Sequence, residues 1–165
     1  MSTNGPMDIL TAKVLPEWID YNGHMNVGYY NVAFDKATDG LFDYLDMGID
    51  YVKRENKSFF TLQTNVHYIG EVHEGANLRY TVQLLGFDRK RVHAYFEMFN
   101  ADEGFLSATS EQMCAHVDLG ARRTAEMPDD LFARVEAMWD MQKNLPWPDR
   151  AGKGMELRRR ESGAA

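Results

Sequence analysis

The chain has 165 residues, of which 44% are hydrophobic and 26% charged, and a formal net charge of −7. That length suits one domain, which buries roughly 68–70% of its unfolded surface, and the acidic balance excludes a general affinity for nucleic acid or anionic membrane, both of which want a basic surface. A single cysteine, Cys114, rules out an intrachain disulfide, and with no charged-then-apolar leader before Ile9 and no apolar run of the roughly 20 residues a bilayer span needs, the reading is a cytoplasmic protein with no membrane partner.

Met1 to Met7 is short and polar and reads as a frayed end. Ile9, Ala12, Val14 and Leu15 mark a first strand. Beyond a loop rich in aromatics, apolar residues recur at Val27, Tyr30, Phe34, Ala37, Leu41, Tyr44 and Leu45, a spacing of three and four that makes one stripe of a long helix. Its polar side carries Asp35, Asp39 and Asp43 at i, i+4 and i+8, which repel one another and read as a solvated face. Met47-Gly48 is expected to end the helix, the glycine taking a left-handed conformation. Ile49 to Lys57 forms a short helical turn. From Ser58 the period changes to two, with Phe60, Leu62, Val66 and Tyr68 on one face against Thr61, Gln63, Asn65 and His67 on the other. Gly70 to Gly75 breaks this strand. Leu78, Tyr80, Val82 and Leu84 resume the alternation, a turn at Gly86 to Lys90 follows, and Val92, Ala94, Phe96 and Met98 form another apolar face. Asp102-Glu103-Gly104 makes the next hairpin before a long last strand from Phe105 to Leu119.

Pro128 to Leu145 forms a second helix with Leu131, Val135, Met138 and Gln142 on one side, and Pro146-Trp147-Pro148 stops it. A strand, one long helix and a meander of antiparallel strands is the order of a helix wrapped by a curved sheet. The class is α+β, with a single domain over residues 1–146 that includes the C-terminal helix. Residues 147–165, with Arg158-Arg159-Arg160, have little to bury and read as a mobile tail.

The loop from Pro16 to Tyr30 concentrates Asp20, a histidine, two asparagines and four aromatics. Asn22-Gly23 turns the chain, since both residues tolerate positive φ, and the turn brings the Asp20 carboxylate back toward the start of the long helix. Asn26 is suited to cap that helix, leaving the N–H groups of Val27, Gly28 and Tyr29 without intrahelical partners. Free N–H groups at the positive end of a helix suit an oxyanion developing on a thioester carbonyl, with Asp20 as nucleophile or base opposite. Spacing alone leaves the plainer alternative open, in which Asp20 is a turn residue and His24 a structural hydrogen-bonder.

Asp-Tyr-Asn-Gly-His-Met-Asn, followed by an aromatic-rich helix, resembles the Asp-x-x-Gly-His-x-Asn signature of the 4-hydroxybenzoyl-CoA thioesterase-like branch of the hot-dog superfamily. The resemblance extends through Phe34-Asp35-Lys36-Ala37, Phe60-Thr61-Leu62 to Tyr68, and Glu74-Gly75, and covers roughly Ile9 to Leu119. It implies a hot-dog fold and acyl-CoA thioester hydrolysis with Asp20 as the catalytic carboxylate. His24 and Asn26 match motif positions that shape the loop, and the helix-entry amides near Val27 and Gly28 would polarise the carbonyl. More narrowly, Leu-Pro-Glu-Trp-Ile-Asp-Tyr-Asn-Gly-His-Met-Asn with Leu-Leu-Gly-Phe-Asp-Arg-Lys-Arg-Val-His resembles thioesterases of carnitine and betaine catabolism, which implies betainyl-CoA or a similarly small cationic acyl group.

Under that resemblance other residues acquire roles. Arg89, Lys90 and Arg91 cluster at a strand turn, with Arg122 and Arg123 after the last strand; a charge run at a turn is commonly just solvated, yet arginine forks suit CoA phosphates. Trp18, Tyr21, Tyr29, Tyr30 and Phe60 are aromatics expected around the acyl group, where their faces could cage a quaternary ammonium. Asp35 and Asp39 rank below Asp20 as the catalytic acid. The five histidines show no helical i, i+4 pair and no cysteine partner at a zinc-like spacing, so no metal is assigned. No cofactor is assigned beyond the CoA of the substrate, and Cys114 reads as a small core residue. By family analogy the chain forms a homodimer or higher homo-oligomer that joins two sheets and places Asp20 near the partner. The competing readings are a hot-dog hydratase or dehydratase using His24 with Asp20, and a non-catalytic binder of acyl-CoA or a quaternary amine.

Overall fold

The computed structural model describes residues 5–157. Strand β1 (Met7–Lys13) leads through a 3-10 turn at Pro16–Trp18 into helix α1 (Val27–Tyr44) and the short α2 (Ile49–Glu55). Strands β2 (Lys57–Tyr68), β3 (Asn77–Phe87), β4 (Arg91–Asn100), β5 (Leu106–Asp118) and the two-residue β6 (Arg123–Thr124) follow, and α3 (Asp129–Gln142) comes last. The sheet order is β1-β3-β4-β5-β2, with β6 added to β5 and every pairing antiparallel. One long helix against a single antiparallel sheet, plus a C-terminal helix, is the arrangement the resemblance implied.

Helix α1 lies on the sheet because its stripe is apolar. Tyr30, Phe34, Ala37 and Leu41 are buried in one core with Tyr80 and Val82 of β3 and Phe96 and Met98 of β4. The Phe34 ring meets Tyr80 edge to face, with centroids 5.9 Å apart. Each of the larger side chains, such as Phe34, Leu41 or Met98, contributes about 1.5–3 kcal/mol when taken out of water. The helix ends differently from expectation. Asp46 takes the left-handed conformation, with φ of 61°, whereas Gly48 has φ of −78° and caps α2. A Cβ at position 48 would meet the exposed Asp43 carboxylate, which would have to turn aside.

Strand β2 departs from simple alternation. A bulge between Thr61 and Gln63 inserts Leu62 against β5, and one extra residue exchanges the two faces of a strand. Ahead of the bulge Phe59 turns inward and stacks on Phe42 of α1, so Phe60 lies outside. Past it the even positions turn inward, where Tyr68 meets Tyr30.

The sheet has two ends. Val72 and Ala76 bond the motif loop and the end of β1 at one of them, through Met25 N–H to Val72 O and Val14 N–H to Ala76 O. The other end holds the β3–β4 turn, β6 and the start of α3, and there the buried His116 donates from Nδ1 to Ala125 O and accepts at Nε2 from the Tyr51 hydroxyl. Burial pushes the Tyr51 hydroxyl up to about 12 and lowers the His116 imidazole, so the pair stays neutral.

Helix α3 finishes an edge that β1 leaves open. Pairing of β1 with β3 stops at Val82, and the Gln142 amide continues the ladder by accepting from Leu84 N–H and donating to Val82 O. Residues 146–153 cross the outer face of the sheet, where Gln83 donates to Pro146 O, Ala151 packs with Leu85 and Tyr95, Gly152 N–H reaches Glu111, and Asn65 donates to Lys153 O. The Arg158–Arg160 run and the first four residues lie outside the described residues.

Candidate active site

The motif loop is a closed turn. Asp20 O accepts from Gly23 N–H and Asp20 N–H donates to His24 O, while Gly23 takes φ of +82°, the conformation that glycine supplies without strain. Isolated pairing of Ile19 with Met25 and the bond from Asn26 N–H to Trp18 O fasten the loop's two arms. The turn thus does what Asn22-Gly23 foretold.

Both carboxylate oxygens of Asp20 are held. Asn22 N–H donates to Oδ1 at 2.8 Å and the Asn26 amide donates to Oδ2 at 3.2 Å. The same Asn26 side chain accepts from Gly28 N–H at 2.9 Å and so caps α1. One amide therefore joins the acid to the helix start. Gly28 N–H is consequently occupied, as is Tyr29 N–H, which reaches Asn26 O. Of the three helix-entry donors expected, Val27 N–H alone has no acceptor among the described residues.

Val27 also lines a cavity of about 300 Å³ together with His24, Met25, Tyr30, Tyr68, Ile69, Gly70 and Glu71. Asp20 is not part of this lining, and its tie to it is the Asn26 amide. The His24 ring makes no side-chain bond to Asp20; its Nδ1 lies 3.3 Å from Met25 O and its Nε2 4.0 Å from Glu71. A histidine–Asp20 pair of the kind a hydratase would need is not assembled.

The aromatics separate into four groups. Tyr30 is buried in the wall of the cavity. Trp18 and Tyr29 stack on each other at 5.8 Å, and Lys36 Nζ sits 5.1 Å from the Trp18 centroid, so a cation already occupies that ring. Tyr21 is 96% exposed at the tip of the turn. Phe60 lies toward the opposite end of the sheet, in a depression of about 360 Å³ with Val117, Arg122 and Arg123. The expected aromatic cage therefore keeps only Tyr30 within one chain. Tyr68 and Glu71, which the sequence reading did not assign, join it. They come from the end of β2 and the turn after it, and the bulge that carries Tyr68 inward leaves no periodic signal in the sequence.

The basic cluster is also displaced. Arg89, Lys90 and Arg91 sit at the far end of β3, whose 11 residues put them roughly 30 Å or more from the motif loop. Arg89 is paired with Asp129 and Arg91 makes two bonds to Asp88, holding that carboxyl below its usual range. Within one chain these cations cannot serve the cavity. Asp35, Asp39 and Asp43 run away from the loop along the exposed side of α1; desolvation, then the repulsion of Asp35 and Asp43, raises the Asp39 carboxyl. Cys114 is buried and burial pushes its thiol up, which disfavours the thiolate a nucleophile needs.

A protein-family model described as the Thioesterase-like superfamily matches residues 14–135. The betainyl-CoA thioesterase of Pseudomonas aeruginosa is 40% identical over 148 residues, which are 88% of this chain and 92% of that protein. A Rhizobium protein named L-carnitine dehydrogenase/betainyl-CoA thioesterase is 34% identical over 90% of this chain, which spans only 30% of that longer protein. Among solved structures, a candidate thioesterase from Pseudomonas putida has a TM-score of 0.81 at 33% identity, covering 94% of this chain and 99% of its own. A Staphylococcus aureus protein in complex with CoA has a TM-score of 0.83 at 23% identity, covering 93% and 97%, a likeness of fold. Because the family match runs through both the motif loop and the sheet, and identities of 33–40% extend over nearly the whole of two of these proteins, this chain belongs to the Thioesterase-like superfamily.

Proposed function

We infer that this chain hydrolyses acyl-CoA thioesters and that betainyl-CoA, the substrate in the names of its relatives, is its preferred substrate. The observation that carries the reading is the Asn26 amide, which fixes the Asp20 carboxylate and the helix start in one frame and leaves Val27 N–H free at the cavity wall. With the thioester carbonyl oxygen on Val27 N–H, the carbonyl carbon becomes electrophilic. Asp20 then acts in one of two ways. As nucleophile it adds to that carbon, the C–S bond breaks, CoA leaves as the thiolate, and water hydrolyses the mixed anhydride to regenerate Asp20. As general base it takes a proton from water, which attacks instead, and the proton passes to the leaving thiolate. Neither route needs a cofactor or metal.

The test is release of free CoA thiol from a panel of acyl-CoA esters. Betainyl-CoA is expected to give the highest kcat/KM; thiol release from none of them, alongside hydration of an enoyl-CoA or stoichiometric binding without turnover, would replace the reading with a competitor. A single free and buried cysteine suits the reducing cytoplasm, which is part of the same reading.

The site is completed by a second copy. Strand β2 is a 12-residue edge strand with Phe60, Leu62, Tyr68 and Ile69 exposed along it, and an unpaired apolar edge invites another strand. Two copies of β2 paired antiparallel about a twofold axis set the far end of one sheet beside the motif end of the other. The partner's Phe60, the partner's Arg122 and the partner's Arg123 then approach the cavity, supplying the aromatic wall and the phosphate-binding cations, with Asp20 close to the partner chain. The protein is expected to sediment as a dimer at micromolar concentration, and Leu62→Lys, which plants a charge on the edge, as a monomer. A wild-type protein that sediments only as monomer refutes this assembly.

A further inference from the structure

We propose that Tyr30, Tyr68 and Glu71 form the subsite that takes a quaternary ammonium group on the acyl chain, an assignment that rests on the thioesterase reading above. The three line the same cavity as Val27. The rings of Tyr30 and Tyr68 have centroids 5.1 Å apart and meet at 85°, so they form a right-angled corner rather than a flat stack. A cation seated in such a corner lies within the roughly 6 Å range of both rings.

Each member is fixed in a way that suits the role. Tyr30 is buried, and desolvation raises its hydroxyl, so it stays a neutral phenol with Ser107 and the Val72 backbone as polar neighbours. Tyr68 is brought to the corner by the β2 bulge, lines the cavity and is half exposed. Glu71 places a carboxylate at the rim. Its ion-pair neighbours are His24 at 4.0 Å and His73 at 3.8 Å, and no lysine or arginine pairs with it among the described residues. His73 donates from Nδ1 to Gly23 O, which ties this turn to the motif loop. A neutral acyl chain gains apolar contact alone from the corner; a trimethylammonium gains also from the ring faces and the acidic rim.

The experiment compares kcat/KM for betainyl-CoA and for 3,3-dimethylbutanoyl-CoA, in which a tert-butyl group replaces the trimethylammonium. The CoA portions are identical, so their contacts cancel in the ratio. Wild type is expected to favour the cation by roughly 2- to 30-fold. Glu71→Gln, an exposed change that leaves the core untouched, is expected to lower the ratio by about 2- to 5-fold. Tyr68→Leu lowers it similarly while Tyr68→Phe, which keeps the ring, preserves it. A ratio unmoved in folded Glu71→Gln overturns the Glu71 assignment, and one unmoved in both Glu71→Gln and Tyr68→Leu overturns the subsite. Equal efficiency toward the two esters in wild type overturns it as well, while hydrolysis itself stands. Failure to cleave either ester would instead bring down the thioesterase reading and the subsite with it.

Discussion

Val27→Pro is expected to fold as wild type and to lose about 10²–10³-fold in kcat, the loss that follows removal of one oxyanion donor. Val27 is the first residue of α1, where proline is well tolerated because its missing N–H has no intrahelical partner. The preceding Asn26 already has φ of −64° and ψ of 143°, the extended region that a following proline demands. The Val27 side chain is 57% exposed, so little burial is lost. The substitution thus deletes a single hydrogen-bond donor from a helix that otherwise keeps its shape. Val27→Ala, which retains the N–H, should keep turnover near wild type. Unchanged circular dichroism together with turnover near wild type in Val27→Pro would remove this amide from the mechanism.

Asp20→Asn is expected to lower turnover by about 10²-fold or more, the low end of what a positioned acid or base supplies. The change keeps size and shape and removes the charge needed to attack a carbonyl or to deprotonate water. An amide at position 20 can still accept from Asn22 N–H, so the turn closed by Asp20 and Gly23 should persist. Turnover measured with thermal unfolding as a control decides the matter, and near-normal turnover excludes Asp20. A single turnover in heavy-oxygen water then tests direct attack. Label in the Asp20 carboxylate requires a mixed anhydride opened by water at the Asp20 carbonyl, whereas the general-base route labels the product acid alone.

What could be read from the sequence follows from which interactions are local. The motif loop was legible because its contacts span few residues: Asp20 to Asn22, Asp20 to Asn26, Asn26 to Gly28. Helix α1 was legible because one stripe repeats through Tyr30, Phe34, Ala37 and Leu41. The far wall of the cavity was not. Tyr68 and Glu71 arrive from more than 35 residues downstream of the loop, and a bulge that reads as ordinary alternation exchanges the inward places of Phe60 and Tyr68. The helix stop was misplaced because glycine is the usual left-handed residue, while here Asp46 turns the chain and Gly48 caps α2. The crossing of residues 146–153 over the sheet escaped notice because several of its bonds use backbone atoms of the segment, Pro146 O, Gly152 N–H and Lys153 O. Side-chain chemistry does not announce such bonds. The basic turn at Arg89–Arg91 was recognised as a cluster, but its distance from the loop depends on the length of β3 and on which end of the sheet receives it.

The bridge made by Asn26 has a consequence for substitution. At most helix starts Ser, Thr, Asp and Asn exchange for one another at modest cost, since each offers an oxygen to the backbone. Position 26 has lost that freedom. Ser or Thr could cap Gly28 but would lack the second arm that reaches Asp20. Asp could cap it equally well but would set one carboxylate against another, with acceptors facing acceptors. Only an amide of this length carries a donor and an acceptor on opposite sides of one rigid plane. A position that helix formation alone would leave open to four residue types is narrowed by its neighbour to one.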